Sequence, residues 1–366
     1  MDETSINTVR VDLGERSYDL EIGTGNLDNV GAFLAGLGDL THAVILTDEN
    51  VEPLYASSVA ETLADRGIMV DLIVVEPGEA TKSIESSSAL WEKMLEVGCD
   101  RKTVVIAVGG GVVGDLAGFV AATFARGVRF FQVPTSLLAQ VDSSVGGKVG
   151  VNLPTAKNMV GAFLQPIGVL IDTKTLDTLD LRQYRAGLGE VVKYGVILDE
   201  EFFASLEANI ERLNARDHDY LGEVVARCCR LKADVVEKDE REESGLRALL
   251  NYGHTYAHAF ETLAGYGEIL HGEAVAIGML CASRLAEQLG LIDSVATQRQ
   301  FALLEALGLP TETPSLDVDA ILESMMRDKK VQHGKLKFVL PTKIGHCELV
   351  GDVDPELVRE SLKTPE

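Results

Sequence analysis

No apolar run in this chain approaches the ~20 residues that a helix needs to cross a bilayer. The opening segment, MDETSINTVRVD, is acidic and carries no apolar stretch, which argues against a secretory signal. Basic residues are scarce: 33 Lys and Arg stand against 57 Asp and Glu, a net charge of −24. Nucleic acid, whose binding needs a basic surface, is therefore an unsuitable partner. The cysteines are Cys99, Cys228, Cys229, Cys281 and Cys347, an odd number without a paired spacing. They fit a reducing cytoplasm better than a disulfide framework. Cys228 and Cys229 point apart on a helix, so core packing outweighs metal or redox chemistry for them. The chain has no internal repeat and no low-complexity segment. A cytoplasmic protein with neither membrane nor nucleic acid among its partners is expected.

What is present has the composition of a globular enzyme. The chain has 366 residues, 46% hydrophobic and 25% charged, enough for two domains with separate cores. In the first half, AVILTDEN, VDLIVVEPG, TVVIAVGGG and RFFQVPTS read as strands, with helical patterns such as SIESSSALWEKMLEVG and VGDLAGFVAATFA between them. That alternation predicts a parallel, Rossmann-like α/β sheet with helices on both faces. From about Leu179 the pattern changes to long helices around Glu190, Val225, His258 and Val275. The boundary falls near residues 174–180, giving an α/β domain over 1–177 and an all-α domain over 178–366. The stretch KLKFVLPTKIGHCELV adds a candidate hairpin.

Three constellations carry chemistry. The first is a polar stripe in LRALLNYGHTYAHAFETLAGYG, where Arg247, Asn251, His254 and His258 recur at i, i+4, i+7 and i+11 among apolar neighbours. Burying a cation, an amide and two imidazoles together is costly unless a metal, an anion or mutual hydrogen bonds satisfy them. His271 opens another helix, and AGLGEVVKYGV puts Glu190 and Lys193 one turn apart. Gly187, Gly189 and Gly195 there each cost a helix roughly 1 kcal/mol, which points to close approach by a neighbouring element or ligand. Two imidazoles and a carboxylate with one open position are the donor set of a catalytic zinc. On chemistry alone His254 and His258 make the natural pair, with Glu190 or His271 third. The second constellation is strand, glycine turn and helix in VVIAVGGGVVGDLAGFVAATF. Gly109, Gly110 and Gly111 admit a close backbone, and the helix N-terminus suits a pyrophosphate. Asp115 either caps that helix or reaches a ribose or nicotinamide. Asp48 and Asn50 end a strand where a nucleotide would meet it. Gly78, Glu79 and Lys82 form a turn before a helix cap. The third is LAQVDSSVGGKVGVNLPTAKNMVGAF, which sets Asp142, Lys148, Lys157 and Asn158 on glycine-rich backbone. Two lysines in a weakly charged stretch of an acidic protein point to an anion, and Arg126 and Lys232 are candidates to join them.

Taken together, GGGVVGDLAGFVAATFARG, QVPTSLLAQVDSSVGGKVGVN, AKNMVGAF, AGLGEVVKYG, RALLNYGHTYAHAFE and LHGEAVAIGM resemble the 3-dehydroquinate synthase family of sugar-phosphate cyclases, in the family's order, from about residue 44 to 290. The resemblance implies an NAD-binding α/β domain, a helical domain, and a site in the cleft between them. It assigns a divalent metal, zinc or cobalt, to Glu190, His254 and His271, and makes His258 a proton relay. It places NAD on Asp48, Asn50, the turn Gly78, Glu79 and Lys82, the loop Gly111, Gly114 and Asp115, and on Thr135, Ser136, Lys148, Lys157, Thr175 and Thr178. Substrate hydroxyls, carboxylate and phosphate fall to Asp142, Lys148, Asn158, Lys193, Lys232, Arg247 and Asn251. Arg126 is implied to reach into the partner's site of a homodimer. One departure stands out: the family commonly has Lys after the Ile-Gly near the C-terminus, where this chain has His346, with Lys343 three residues earlier.

The activity so implied takes 3-deoxy-D-arabino-heptulosonate 7-phosphate, a phosphorylated sugar acid, to 3-dehydroquinate and phosphate in the shikimate pathway of aromatic amino acid biosynthesis. NAD is regenerated in each turnover. The alternatives are another sugar-phosphate cyclase, such as an aminodehydroquinate, valiolone-type or inosose synthase, and a metal-dependent polyol dehydrogenase. The dehydrogenase has no use for Lys148, Lys193 and Arg247 as phosphate-binding cations. A non-enzymatic nucleotide sensor has no use for the metal set.

Overall fold

The four apolar runs that read as strands lie side by side and make up one half of a seven-stranded sheet, out to one edge. The computed structural model describes residues 6–154, 156–265, 267–327 and 336–363. The chain divides into two units, Met1–Leu179 with His218–Glu237, and Asp180–Asp217 with Lys238–Glu366.

In the first unit the elements are β1 (Asn7–Val11), β2 (Tyr18–Gly23), α1 (Val30–Gly36), β3 (His42–Asp48), α2 (Ser57–Ala64), β4 (Met69–Val75), α3 (Ile84–Glu96), β5 (Val104–Gly109), α4 (Gly111–Thr123), β6 (Arg129–Pro134), β7 (Lys148–Leu153), β8 (Ala156–Phe163), β9 (Gly168–Asp172) and α8 (His218–Lys238). The sheet order is β1-β2-β9-β6-β5-β3-β4. Every neighbouring pair is parallel except β1 with β2. Strand alternation then distributes the helices. Ala43 and Ile45 pack with Val59 and Leu63 of α2 on one face, while Val44 and Leu46 pack with Leu116 and Val120 of α4 on the other. The chain leaves β3 toward one face and β5 toward the other, so the ends of these two adjacent strands form a topological switch point. Strands β7 and β8 form a separate antiparallel pair, and Val149 and Val151 pack into the α4 side of the core.

Helix α8 differs from the expected division. The sequence reading put the helix around Val225 in the second domain, but it belongs to the first unit, which therefore is not one continuous stretch. Side chains explain why: Cys229 Sγ donates to the Gln140 carbonyl at 3.3 Å, and Lys232 Nζ donates to the Asp142 carbonyl at 2.7 Å.

The second unit holds α5 (Leu181–Leu198), α6 (Glu200–Ala208), α7 (Ile210–Asn214), α9 (His254–Ala264), α10 (His271–Gln288), α11 (Ser294–Ala306), α12 (Val318–Arg327) and α13 (Pro355–Ser361). It is not purely helical, because β10 (Lys337–Lys343) and β11 (His346–Gly351) make the hairpin that the sequence allowed. A second correction concerns the polar stripe. Arg247–Asn251 is a 3-10 turn, and Gly253 takes φ 78° before α9 begins at His254. The four residues do not share one helix face; only His254 and His258 do, with ring centroids 5.7 Å apart.

Candidate active site

Backbone contact between helices builds the centre of the second unit. A Cβ on Gly272 would lie 1.8 Å from the Ala186 carbonyl oxygen, and one on Gly189 would lie 2.5 Å from the Gly272 carbonyl oxygen. Helices α5 and α10 therefore touch main chain to main chain beside Glu190 and His271. Ligand atoms of Glu190, His254 and His271 all lie within 4.8 Å of one another. Glu190 Oε1 is 3.6 Å from His254 Nε2 and 3.4 Å from His271 Nε2. The far nitrogens are engaged as well: His254 Nδ1 meets the Tyr252 carbonyl at 3.0 Å, and His271 Nδ1 meets Glu261 Oε2 at 3.2 Å. Both rings thus turn Nε2 toward the carboxylate, the orientation that a hydrogen bond at the far nitrogen gives a metal-binding imidazole. Burial would lower the His271 pKa, but the bonds to Glu190 and Glu261 override it and push it up to about 10. A metal bound there must displace that proton.

Charge crowds this centre. Lys193 Nζ sits against Glu190 Oε2, and both side chains are buried. A buried ion pair contributes little net stability against its desolvation. Arg247 is buried at the start of its 3-10 turn. Its N–H donates to Asp239 Oδ2 at 3.0 Å and its Nη1 to the Glu240 carbonyl at 2.7 Å. Burial alone would raise the Asp239 carboxyl; the N–H groups of Arg247 and Ser244 pull it down to about 2. Asn251 ends the same turn, and His258 stands beside His254 outside the three-ligand group.

In the first unit the switch point collects the nucleotide candidates. Asp48 ends β3, where its Oδ1 accepts the N–H of Asn50 at 2.9 Å. Gly111 opens α4 with Gly110 before it, and no side chain caps that N-terminus. Gly114 follows in the first turn, and Thr135 and Ser136 leave the end of the neighbouring β6. Lys82 is buried and donates from Nζ to both Asp115 Oδ2 and Asn158 Oδ1. Burial pushes the Asp115 carboxyl up, against the opposing pull of Lys82. Gly78 holds φ 106° ahead of Glu79, which accepts from Asn152 Nδ2 at 2.8 Å. Thr175 Oγ1 is buried on the Asp172 carbonyl at 2.7 Å, and Thr178 Oγ1 meets the Tyr55 hydroxyl at 2.5 Å. Asp142 pairs with buried Lys232 at 3.0 Å. Lys148 opens β7 and is exposed, and Lys157 and Asn158 project from β8. Arg126 is exposed at φ 70°.

Two family models match the chain, 3-dehydroquinate synthase N-terminal over residues 72–186 and 3-dehydroquinate synthase C-terminal over residues 187–331. The 3-dehydroquinate synthase of Rhodopirellula baltica is 50% identical over 359 residues, covering 96% of either chain. The chain belongs to the 3-dehydroquinate synthase family. Two solved structures of related cyclases share its fold. A 2-deoxy-scyllo-inosose synthase complexed with carbaglucose-6-phosphate, NAD+ and Co2+ is 28% identical, with a TM-score of 0.87 over 97% of this chain and 99% of that one. A 2-epi-5-epi-valiolone synthase from Streptomyces hygroscopicus with NAD+ and Zn2+ bound is 29% identical, with a TM-score of 0.86 over 96% of this chain and 97% of that one.

Within this member of the 3-dehydroquinate synthase family, two polar residues escaped the sequence reading. Glu261 follows His258 by three residues and His254 by seven, a helical spacing that could have flagged it. Asn152 gave no such signal, because its bonds to Glu79 and Asn158 depend on a strand irregularity. At the C-terminal departure, His346 and Lys343 are both exposed, and His346 Nδ1 is 2.7 Å from Thr342 Oγ1.

Proposed function

We propose that this protein converts 3-deoxy-D-arabino-heptulosonate 7-phosphate to 3-dehydroquinate and phosphate, as a cytoplasmic homodimer with NAD+ and a divalent metal. The observation that carries the reading is the convergence of Glu190, His254 and His271 beside Lys193. Carboxylate and imidazole donors of this kind fit zinc or cobalt. Glu190, His254 and His271 hold the ion. The uncapped α4 terminus at the switch point fits a dinucleotide, held by Asp48, Asn50, the Gly78–Lys82 turn, Gly111, Gly114, Asp115, Thr135, Ser136, Lys157, Thr175 and Thr178. When bound, the ion supplies Lewis acidity to the C5 oxygen of the substrate, and NAD+ supplies a reversible hydride acceptor.

The remaining work falls to this chain's own side chains. Lys148, Lys193 and Arg247 stabilise negative charge as it develops on substrate oxygens and on the departing phosphate. Asp142, Asn158, Lys232 and Asn251 orient hydroxyls and the carboxylate. His258, next to His254, relays a proton. The substrate's own phosphate takes the C6 proton, so the protein needs no further carboxylate base. Arg126 completes the site of the partner subunit.

The test is phosphate release from the heptulosonate phosphate, with and without chelator, while absorbance reports net NADH. Phosphate release that stops on chelation, with no NADH build-up, supports the reading. Steady NADH production from a simple polyol would overturn it. The substrates of inosose and valiolone synthases, assayed in parallel, separate the related cyclases.

A further inference from the structure

Strands β7 and β8 fall out of step at one point. Val151 pairs with Val160 and Leu153 with Ala156, so Lys157, Asn158 and Met159 face the single residue Asn152. A bulge of this kind bends its strand and re-aims the side chains it carries. Here it also holds Asn158 at φ 54°, the left-handed region that asparagine tolerates better than most residues.

Asn152 supports this distortion with three bonds. Its Oδ1 accepts the Asn158 N–H at 3.0 Å, its Nδ2 donates to Glu79 Oε1 at 2.8 Å, and its own N–H donates to the Lys82 carbonyl at 2.8 Å. The Lys82 ammonium closes the ring by donating to Asn158 Oδ1. One amide therefore ties the Gly78–Lys82 turn to the bulge that presents Lys157 and Asn158.

We propose that Asn152 is a positioning residue that sets the nucleotide turn and the substrate-facing bulge as one rigid piece. The inference rests on the ligand roles given above for Glu79, Lys82, Lys157 and Asn158. No other common side chain serves both branches at this length. Aspartate keeps the acceptor for Asn158 but sets a second carboxylate against Glu79, and alanine loses both bonds.

The full-length Asn152→Ala and Asn152→Asp variants test it by amide exchange over residues 156–163, calorimetric NAD+ titration and phosphate-release kinetics. In Asn152→Ala, exchange of the bulge should accelerate roughly tenfold, and NAD+ Kd and substrate KM should each rise roughly tenfold, with a smaller loss in kcat. Asn152→Asp should keep bulge protection within about threefold of wild type while NAD+ Kd still rises. If Asn152→Ala does not fold, this split in Asn152→Asp carries the test. Wild-type exchange and NAD+ affinity in folded Asn152→Ala would overturn the proposal, as would weaker NAD+ binding in Asn152→Ala with its bulge fully protected, or wild-type NAD+ affinity in Asn152→Asp. Faster exchange in Asn152→Ala, in a protein whose wild type releases no phosphate, would retain the positioning role and reject the assigned reaction.

Discussion

His271 lies between two carboxylates, Glu190 at one nitrogen and Glu261 at the other. The second of these fixes the ring without belonging to the ligand group, so Glu261→Gln should leave the fold intact and weaken metal binding about 10–100-fold, read by chelator competition. Excess metal should restore turnover. Asp239 works in the same indirect way on Arg247. Its carboxyl is depressed to about 2, so its contribution to stability is present above the ordinary aspartate pKa of about 4 and is lost as pH falls toward 2. Asp239→Asn should flatten that acid limb in a denaturation series. It should also raise substrate KM, because Arg247 loses its backbone anchor. Unaltered KM would limit Asp239 to the fold.

Between elements, the contact of α5 with α10 brings Glu190 and His271 together. Gly272→Ala has no room and should cost about 3 kcal/mol or more in denaturant unfolding, with metal content falling in parallel. Gly195→Ala, whose Cβ would stand 3.0 Å from the Phe203 Cβ, should cost less and keep the metal. The glycines of AGLGEVVKYG announced close approach, and the structure supplies the partner, but no local pattern named Gly272. Strands β3 to β6 were legible because apolar runs bounded by turn residues leave few alternatives. The stripe through Arg247 and His258 was not, because the left-handed Gly253 interrupts a pattern whose spacing looks continuous. The β7–β8 bulge was equally hidden, since a two-residue slip leaves no trace in composition. The grouping of Glu190, His254 and His271 was within reach from donor chemistry. The choice of His271 over His258 needed either the family resemblance or the coordinates.

At the scale of the molecule, the residues proposed to hold the nucleotide and those proposed to hold the metal belong to different units. Chelation should therefore abolish phosphate release while NAD+ binding, followed by calorimetry, persists. Loss of both together would show that the ion also maintains the nucleotide unit. The strong negative charge adds a further point: of the cations proposed to receive the substrate, Lys193, Lys232 and Arg247 are buried. Screening by moderate salt should then alter KM only modestly.

The return of α8 to the first unit bears on synthesis. A ribosome that has released residue 179 has not yet delivered the segment carrying Cys229 and Lys232. The N-terminal half must wait for Asp180–Asp217 to emerge before its last helix can dock, so the earliest part of the nascent polypeptide is not the earliest to be finished.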